Sequence, residues 1–263
     1  MKPKTILDKI VQFKKVENEK RKSFTPLQSF IDKISNNDRR DFKSALRNSK
    51  KNGISLIAEI KRHSPSKGLL REDFNHKNIA IQYEKNGASA ISVLTDSKFF
   101  WGHSDHLVDV KKEVKLPILR KDFIIDEYQI YQSAYIGADA ILLIAKILEL
   151  GQLKKFIDIA HKLGMACLVE VESHNEIQKV LATSAEIVGI NNRNLETFHT
   201  TIEKSIRLKK AIPAELITVS ESGIKRREDI LALEESGFDS VLVGEILIRN
   251  RESGEKLKEL LGK

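Results

Sequence analysis

The stretch IGADAILLI at residues 136–144 decides the architecture of this chain. A glycine closes a helical pattern, and three residues later a run of aliphatic residues begins. Glycine just past a helix end supplies the left-handed residue that turns the chain back. The apolar run lacks polar alternation, the pattern of a parallel strand covered on both faces. NGASAISVL (86–94) and SGFDSVLVG (236–244) repeat the same joint. Outward from these three copies, strands are predicted at 55–61, 90–95, 117–121, 140–144, 166–171, 187–191, 216–221 and 240–244. Helical patterns at 77–86, 127–136, 150–163, 175–182, 201–210 and 227–236 separate them. Eight strands alternating with helices predict an α/β fold, the (β/α)8 TIM barrel. An open doubly wound sheet competes, but no Gly-x-Gly-x-x-Gly turn follows the first strand.

The chain has 263 residues, 41% hydrophobic and 31% charged, a balance that supports a large core and argues against disorder. Cys167 is the single cysteine, so no intrachain disulfide forms and a reducing compartment is expected. Apolar runs fall far short of the ~20 residues of a membrane span. The opening MKPKTILDKIVQFKK has no signal core. The expectation is a soluble cytoplasmic protein without a membrane partner. Net charge is +8, yet residues 51–263 hold 31 basic and 31 acidic residues. The surplus, 14 basic against 6 acidic, lies in residues 1–50. A basic arm can contact nucleic acid. This one has neither interleaved aromatics nor a binding motif, so it reads as the solvated face of extra helices at 5–20 and 25–50. Breaks are expected at Pro26 and at 35–38. These helices are expected to pack on the barrel as part of one domain over 1–263, a monomer with no nucleic-acid partner.

Barrel enzymes carry their sites at the C-terminal strand ends. The first strand ends in Glu59 and Lys61, two apart and so on one face. An acid and a base in one barrel mouth must pair or bind something. The following Ser64-Pro65-Ser66-Lys67-Gly68 reads as a loop that closes over substrate. The third strand ends Arg120-Lys121-Asp122-Phe123. Alternation turns Lys121 and Phe123 one way and Arg120 and Asp122 the other, and the flanking charges pull the Lys121 pKa in opposite directions. Lys121 could be a Schiff-base nucleophile, a general acid or an electrostatic anchor. Glu170, closing the fifth strand, must be paired, protonated or functional. Asn191, Asn192 and Arg193 can orient hydroxyls and a carboxylate, or simply form an Asn-rich turn. Ser222-Gly223 and Gly244, after the last two strands, suit a phosphate cradle and so a phosphorylated small-molecule substrate. The seven histidines lack metal-ligand spacing. His103 and His106, without a convergent carboxylate, read as surface residues, and Cys167 as a core residue. No metal and no cofactor are expected.

The strings AEIKRHSPSKG (58–68), LRKDFIIDEYQI (119–130), GADAILLIAKIL (137–148), LVEV (168–171), GINNRNL (189–195), SESGI (220–224) and VLVGE (241–245) together resemble the indole-3-glycerol phosphate synthase family of tryptophan biosynthesis. The match runs over essentially the whole chain, in the family's order. The resemblance implies a carbon–carbon lyase that closes 1-(2-carboxyphenylamino)-1-deoxyribulose 5-phosphate to an indole, losing carbon dioxide and water. It implies Lys121 as the general acid at the ketone oxygen and Glu170 as the second acid–base group, used in dehydration. Glu59 matches a supporting carboxylate and Lys61 a lysine that holds the substrate's acidic groups. Asn191 and Arg193 match a substrate-orienting pair, and Glu221 a site carboxylate. Ser222 matches a phosphate ligand, with Ser64, Gly223, Gly244 and Glu245 around it. Pro65, Phe100, Phe123 and Leu142 match the apolar wall around the anthranilate ring. At Trp101 and His103 the chain departs from the family's usual small or polar residues.

Overall fold

The computed structural model describes residues 5–35, 38–47, 53–194 and 199–263. Eight parallel strands close in chain order: β1 (Ser55–Ile60), β2 (Ala90–Leu94), β3 (Ile118–Lys121), β4 (Ala140–Ile144), β5 (Ala166–Val171), β6 (Ile187–Asn191), β7 (Ile217–Glu221) and β8 (Ser240–Val243). β1 bonds to both β2 and β8, which seals the barrel. Each boundary falls within one residue of the sequence expectation.

The glycine joints behave as their chemistry requires: Gly87, Gly137 and Gly237 take φ values of +98°, +88° and +80°. The acid after two of them has a second use. Asp139 accepts the β3 amide of Ile118 at 2.8 Å, and Asp239 accepts that of Thr218 in β7 at 2.8 Å. Each thus ties the start of its strand to a neighbouring one.

Alternation splits the strands into two cores. Leu56, Ile91, Val169 and Val241 face outward against the helices. Ile57, Leu119, Leu168 and Val219 face inward and fill the barrel. The outer layer includes α4 (His76–Lys85), α7 (Glu127–Tyr135), α8 (Leu150–Lys162), α9 (His174–Leu181), α10 (Glu203–Lys209) and α11 (Arg227–Glu235). Side chains of Asn75, Asp126 and Ser173 cap α4, α7 and α9. The described residues also form α5 (Ser97–Phe100), α6 (Ser104–Glu113), α12 (Glu245–Arg249) and α13 (Ser253–Leu261).

Before the barrel, α1 (Ile6–Phe24) starts at a capping box of Thr5 and Asp8. It stops where Thr25 turns extended ahead of Pro26, because proline excludes the helical conformation from its predecessor. The helical region expected over 25–50, with its break at 35–38, holds two short helices, α2 (Gln28–Ile31) and α3 (Phe42–Arg47); residues 36, 37 and 48–50 of that expectation lie outside the described residues. Phe42 and Leu46 of α3 plug the inner core from below. The basic face is solvated at Lys9, Lys15, Lys20 and Lys33 but not throughout. Arg39 donates to the carbonyls of Ala134 and Ala138, Arg40 to those of Lys111 and Leu116, and Lys14 is fully buried. These cations satisfy carbonyls left over at helix ends and strand entries, and buried carboxylates. Among the described residues no helix is long and apolar enough to cross a membrane.

Candidate active site

A cavity of about 620 Å³ opens at the C-terminal ends of the strands. Every site residue anticipated from the sequence lines it except Glu221 and Asn192. A second cavity, of about 480 Å³, opens beside Ser55 and Pro117 at the other end and contains none of them.

The barrel register brings the charged centre together. Ile144 pairs with Glu170, Glu170 with Gly189, and Asn191 with Glu221, so inward side chains from successive strands reach one level. Lys61 is ion-paired with Glu59, and Lys121 with Glu221. Lys121 Nζ also lies 3.6 Å from Oε2 of Glu170. Asn191 Nδ2 donates to Oε1 of Glu170 at 3.1 Å. Three nearly buried carboxylates therefore surround two lysines.

This imbalance sets the protonation states. Burial alone would lower the Lys121 pKa, but Glu221, Glu170 and Glu59 together raise it well above the ordinary lysine value. Arg120 and Asp122, expected to pull on it from either side, point away as alternation required and are not what moves it. For Glu59, the attraction of Lys61 and Lys121 overcomes burial and lowers its pKa. Glu221 lies deepest; burial and the repulsion of Glu170 and Glu59 outweigh Lys121 and push it up to about 7.

Two of the expected residues are placed differently from the rest. Glu221 sits beneath Lys121 and does not face the cavity. Among the described residues its Oε1 has no hydrogen-bond partner, and it rests over Gly189, where an added Cβ would meet it at 2.2 Å. Gly244, read as room for a phosphate, lines the cavity and also leaves room for Glu59: a Cβ there would meet Glu59 Oε1 at 2.3 Å. Ser222 and Gly223 remain at the cavity edge, consecutive left-handed residues with φ of +70° and +85°. The second amide, Asn192, faces away and braces this turn by donating to the carbonyl of Ser222 at 3.0 Å.

Arg193 reaches across the mouth. It donates to Ser66 in the loop after β1 at 2.7 Å and pairs with Glu245 of α12 at 3.2 Å. Phe100 and Phe123 stand 5.9 Å apart on the apolar side, with Pro65 and Leu142 also on the lining. Sequence reasoning missed the rest of that wall: Ile6, Leu7 and Ile10 of α1. Ile6, Ile10 and Lys14 recur at the four-residue spacing of one helix face, and that was the available signal. Lys14 carries the same face into the protein, where it pairs with Asp96 at 3.0 Å and Asp122 at 2.8 Å.

The histidines differ in part from expectation. His103 is exposed beside Asp105, whereas His106 packs against His76 with ring centroids 4.4 Å apart. Burial and the neighbouring rings hold His106 down, at about 4. Asp109 pairs with His76, not with His103 or His106, at 2.9 Å. Among the described residues, no group of three or more His, Cys, Asp or Glu is placed to hold a metal ion. Cys167 is buried in β5, and burial raises its thiol pKa.

Comparison with known proteins adds the chemistry of relatives. The family described as "Indole-3-glycerol phosphate synthase" matches residues 7–260. The indole-3-glycerol phosphate synthase of Endomicrobium trichonymphae is 47% identical over 255 residues, covering 97% of this chain and 99% of that protein. That of Alkaliphilus metalliredigens is 48% identical over 256 residues, 97% of each chain. Among solved structures, tryptophan synthase subunit alpha from Legionella pneumophila superposes with a TM-score of 0.59 at 14% identity, covering 83% of this chain and 96% of that one. A chain of the Pyrococcus furiosus tryptophan synthase complex gives 0.60 at 17%, covering 80% and 98%. At that identity the likeness is one of fold.

Proposed function

The chain belongs to the indole-3-glycerol phosphate synthase family, and we propose how its own side chains carry out that family's reaction. It is a carboxy-lyase of tryptophan biosynthesis, converting 1-(2-carboxyphenylamino)-1-deoxyribulose 5-phosphate to indole-3-glycerol phosphate, carbon dioxide and water.

The observation that carries the assignment of roles is Lys121, held at the cavity between Glu170 and Glu221. A protonated amine is a poor nucleophile, which disfavours the Schiff base and leaves Lys121 as the proton donor once the keto oxygen gains charge. The substrate's aromatic ring lies between Phe100, Phe123, Pro65 and Leu142. Its carboxyl-bearing carbon attacks the keto carbon while Lys121 gives a proton to the keto oxygen. Attack breaks aromaticity, and loss of carbon dioxide restores it. Glu170, oriented by Asn191, serves as the acid–base group of the dehydration that completes the indole.

Arg193 and Lys61 hold the substrate's carboxylate and hydroxyls, with Glu59 fixing Lys61. Ser64, Ser222, Gly223, Gly244 and the start of α12 at Glu245 surround the phosphate. Glu221 acts from beneath by keeping Lys121 charged. We also read the chain as one barrel unit with residues 1–50 packed on it, acting in the cytoplasm as a monomer, with neither nucleic acid nor membrane as partner. The balanced charge of residues 51–263 and the inward use of Lys14, Arg39 and Arg40 support that reading.

The test is indole fluorescence on mixing protein with substrate in the presence of a metal chelator. A rise that survives chelation and disappears in Glu170→Gln is expected. Full turnover in that variant would remove Glu170 from its role, and a rise abolished by chelator would overturn the metal-free reading.

A further inference from the structure

A second charged cluster lies behind Glu170, outside the cavity lining. Lys204, in the first turn of α10, donates to the main-chain oxygen of Asn191 at 2.7 Å. A cation in the first turn opposes the helix dipole, so α10 itself gives no reason for a lysine there. Asn191 is held twice more: its Nδ2 donates to Glu170 Oε1 at 3.1 Å, and its Oδ1 accepts the Arg193 amide at 3.0 Å. Beside Lys204 stands Glu172, two residues past Glu170, with Lys146 3.6 Å from its Oε2. Oε1 of Glu172 is buried without a hydrogen-bond partner among the described residues. Lys204 is half-buried, and burial lowers its pKa against the pull of Glu172 and Glu170.

We propose that Lys204 is a positioning residue for Glu170: it fixes Asn191, whose side chain orients the carboxylate, and it places a positive charge behind that carboxylate. The proposal rests on the acid–base role read for Glu170. Four charged groups bear on Glu170: Lys121 from β3, Glu221 from β7, Glu172 at its own strand end and Lys204 from α10. Lys204 and Lys121 are the cations of this group, and Glu221 and Glu172 its anions. Lys204 touches no substrate, so its loss acts on the chemical step and not on binding.

The experiment compares Lys204→Met, Lys204→Arg and Glu170→Gln in the intact chain, recording kcat, KM, the pH profile of kcat and the melting temperature. Lys204→Met is expected to lower kcat roughly five- to twentyfold with KM within about twofold. The pH profile of kcat should move, because a charge beside the acid–base cluster has left. Lys204→Arg should restore most of the rate and the profile. An unchanged kcat and profile in Lys204→Met, with Glu170→Gln inactive, overturns the role of Lys204 alone. A rate loss with an unmoved profile that arginine does not restore overturns it too, and marks a merely structural lysine. A Glu170→Gln enzyme at the wild-type rate overturns the reading of Glu170 itself, and this proposal with it.

Discussion

Lys14 Nζ lies 2.8 Å from Oδ1 of Asp122, the residue that directly follows Lys121. Both partners are fully buried, and Arg120 closes on the same carboxylate at 3.1 Å. Helix α1 is therefore ion-paired to the strand end that presents the proposed general acid. The same helix face lays Ile6 and Ile10 against the cavity.

Removing the cation should be costly. Burial alone would raise the Asp122 pKa, but Lys14 and Arg120 hold it far below the ordinary range. A depressed carboxylate contributes stability above its unfolded value near 3.8 and loses it as pH falls. Lys14→Met should cost about 3–5 kcal/mol at pH 7, the usual penalty for orphaning a buried charge. The gap from wild type should narrow on acidification, as the stranded carboxyl takes up a proton. Urea melts at pH 7 and pH 4 measure both effects, and a constant gap would contradict the ion-pair account.

Glu221→Gln should stabilise the fold while impairing the enzyme. Glu221 is raised from an ordinary 4.5 to about 7, so the folded chain keeps a proton that the unfolded chain has released across that window. Stability from this group is present below about pH 4.5 and lost as pH rises through 7. A neutral amide escapes the loss. The variant should melt higher at pH 8 by ~2–4 °C, about 1 kcal/mol, and match wild type at pH 4.5. Turnover should fall because Lys121 loses its closest carboxylate. A lower melting temperature at pH 8 would show that the pair stabilises after all.

Lys121→Met should lower kcat by ~10²–10⁴, the range for losing a general acid, with KM little changed and the circular dichroism spectrum intact. Lys121→Arg should not recover it, since a guanidinium scarcely gives up its proton. Borohydride with substrate should leave no adduct on the wild-type chain; a trapped adduct would restore the Schiff-base role.

Gly244→Ala should reduce kcat/KM at least tenfold by driving Glu59 from its seat, as the new methyl would stand 2.3 Å from Oε1 and 3.0 Å from Cβ of Glu59. Gly151→Ala is the matched control. It lies in α8 with nothing within 4 Å of the added carbon and should leave kinetics unchanged while stabilising by ~0.5–1 kcal/mol. Equal kinetics in the two variants would remove the steric reading of Gly244.

Much of the site was legible because strand ends in this fold have a fixed use. Glu59, Lys121, Glu170 and Asn191 each interrupt or close an apolar run, and period-two alternation told which neighbours share their face. Lys14 was not legible. It sits in a charged helix, where a lysine that will be buried looks the same as one that will be solvated. Nor was the use of Gly244, since a glycine shows only that space is needed and not which atom takes it.

The sequence by itself determined the eight strands, the glycine joints between them and the list of groups at the barrel mouth, because these follow from local periodicity and backbone conformation. Tertiary structure alone decided the pairings. Lys121 meets Glu221 across a separation of 100 residues, and Lys14 meets Asp122 only when α1 folds back over the mouth. Protonation follows those pairings, because burial and Coulomb energy depend on the distance in space between charges and not on their spacing along the chain.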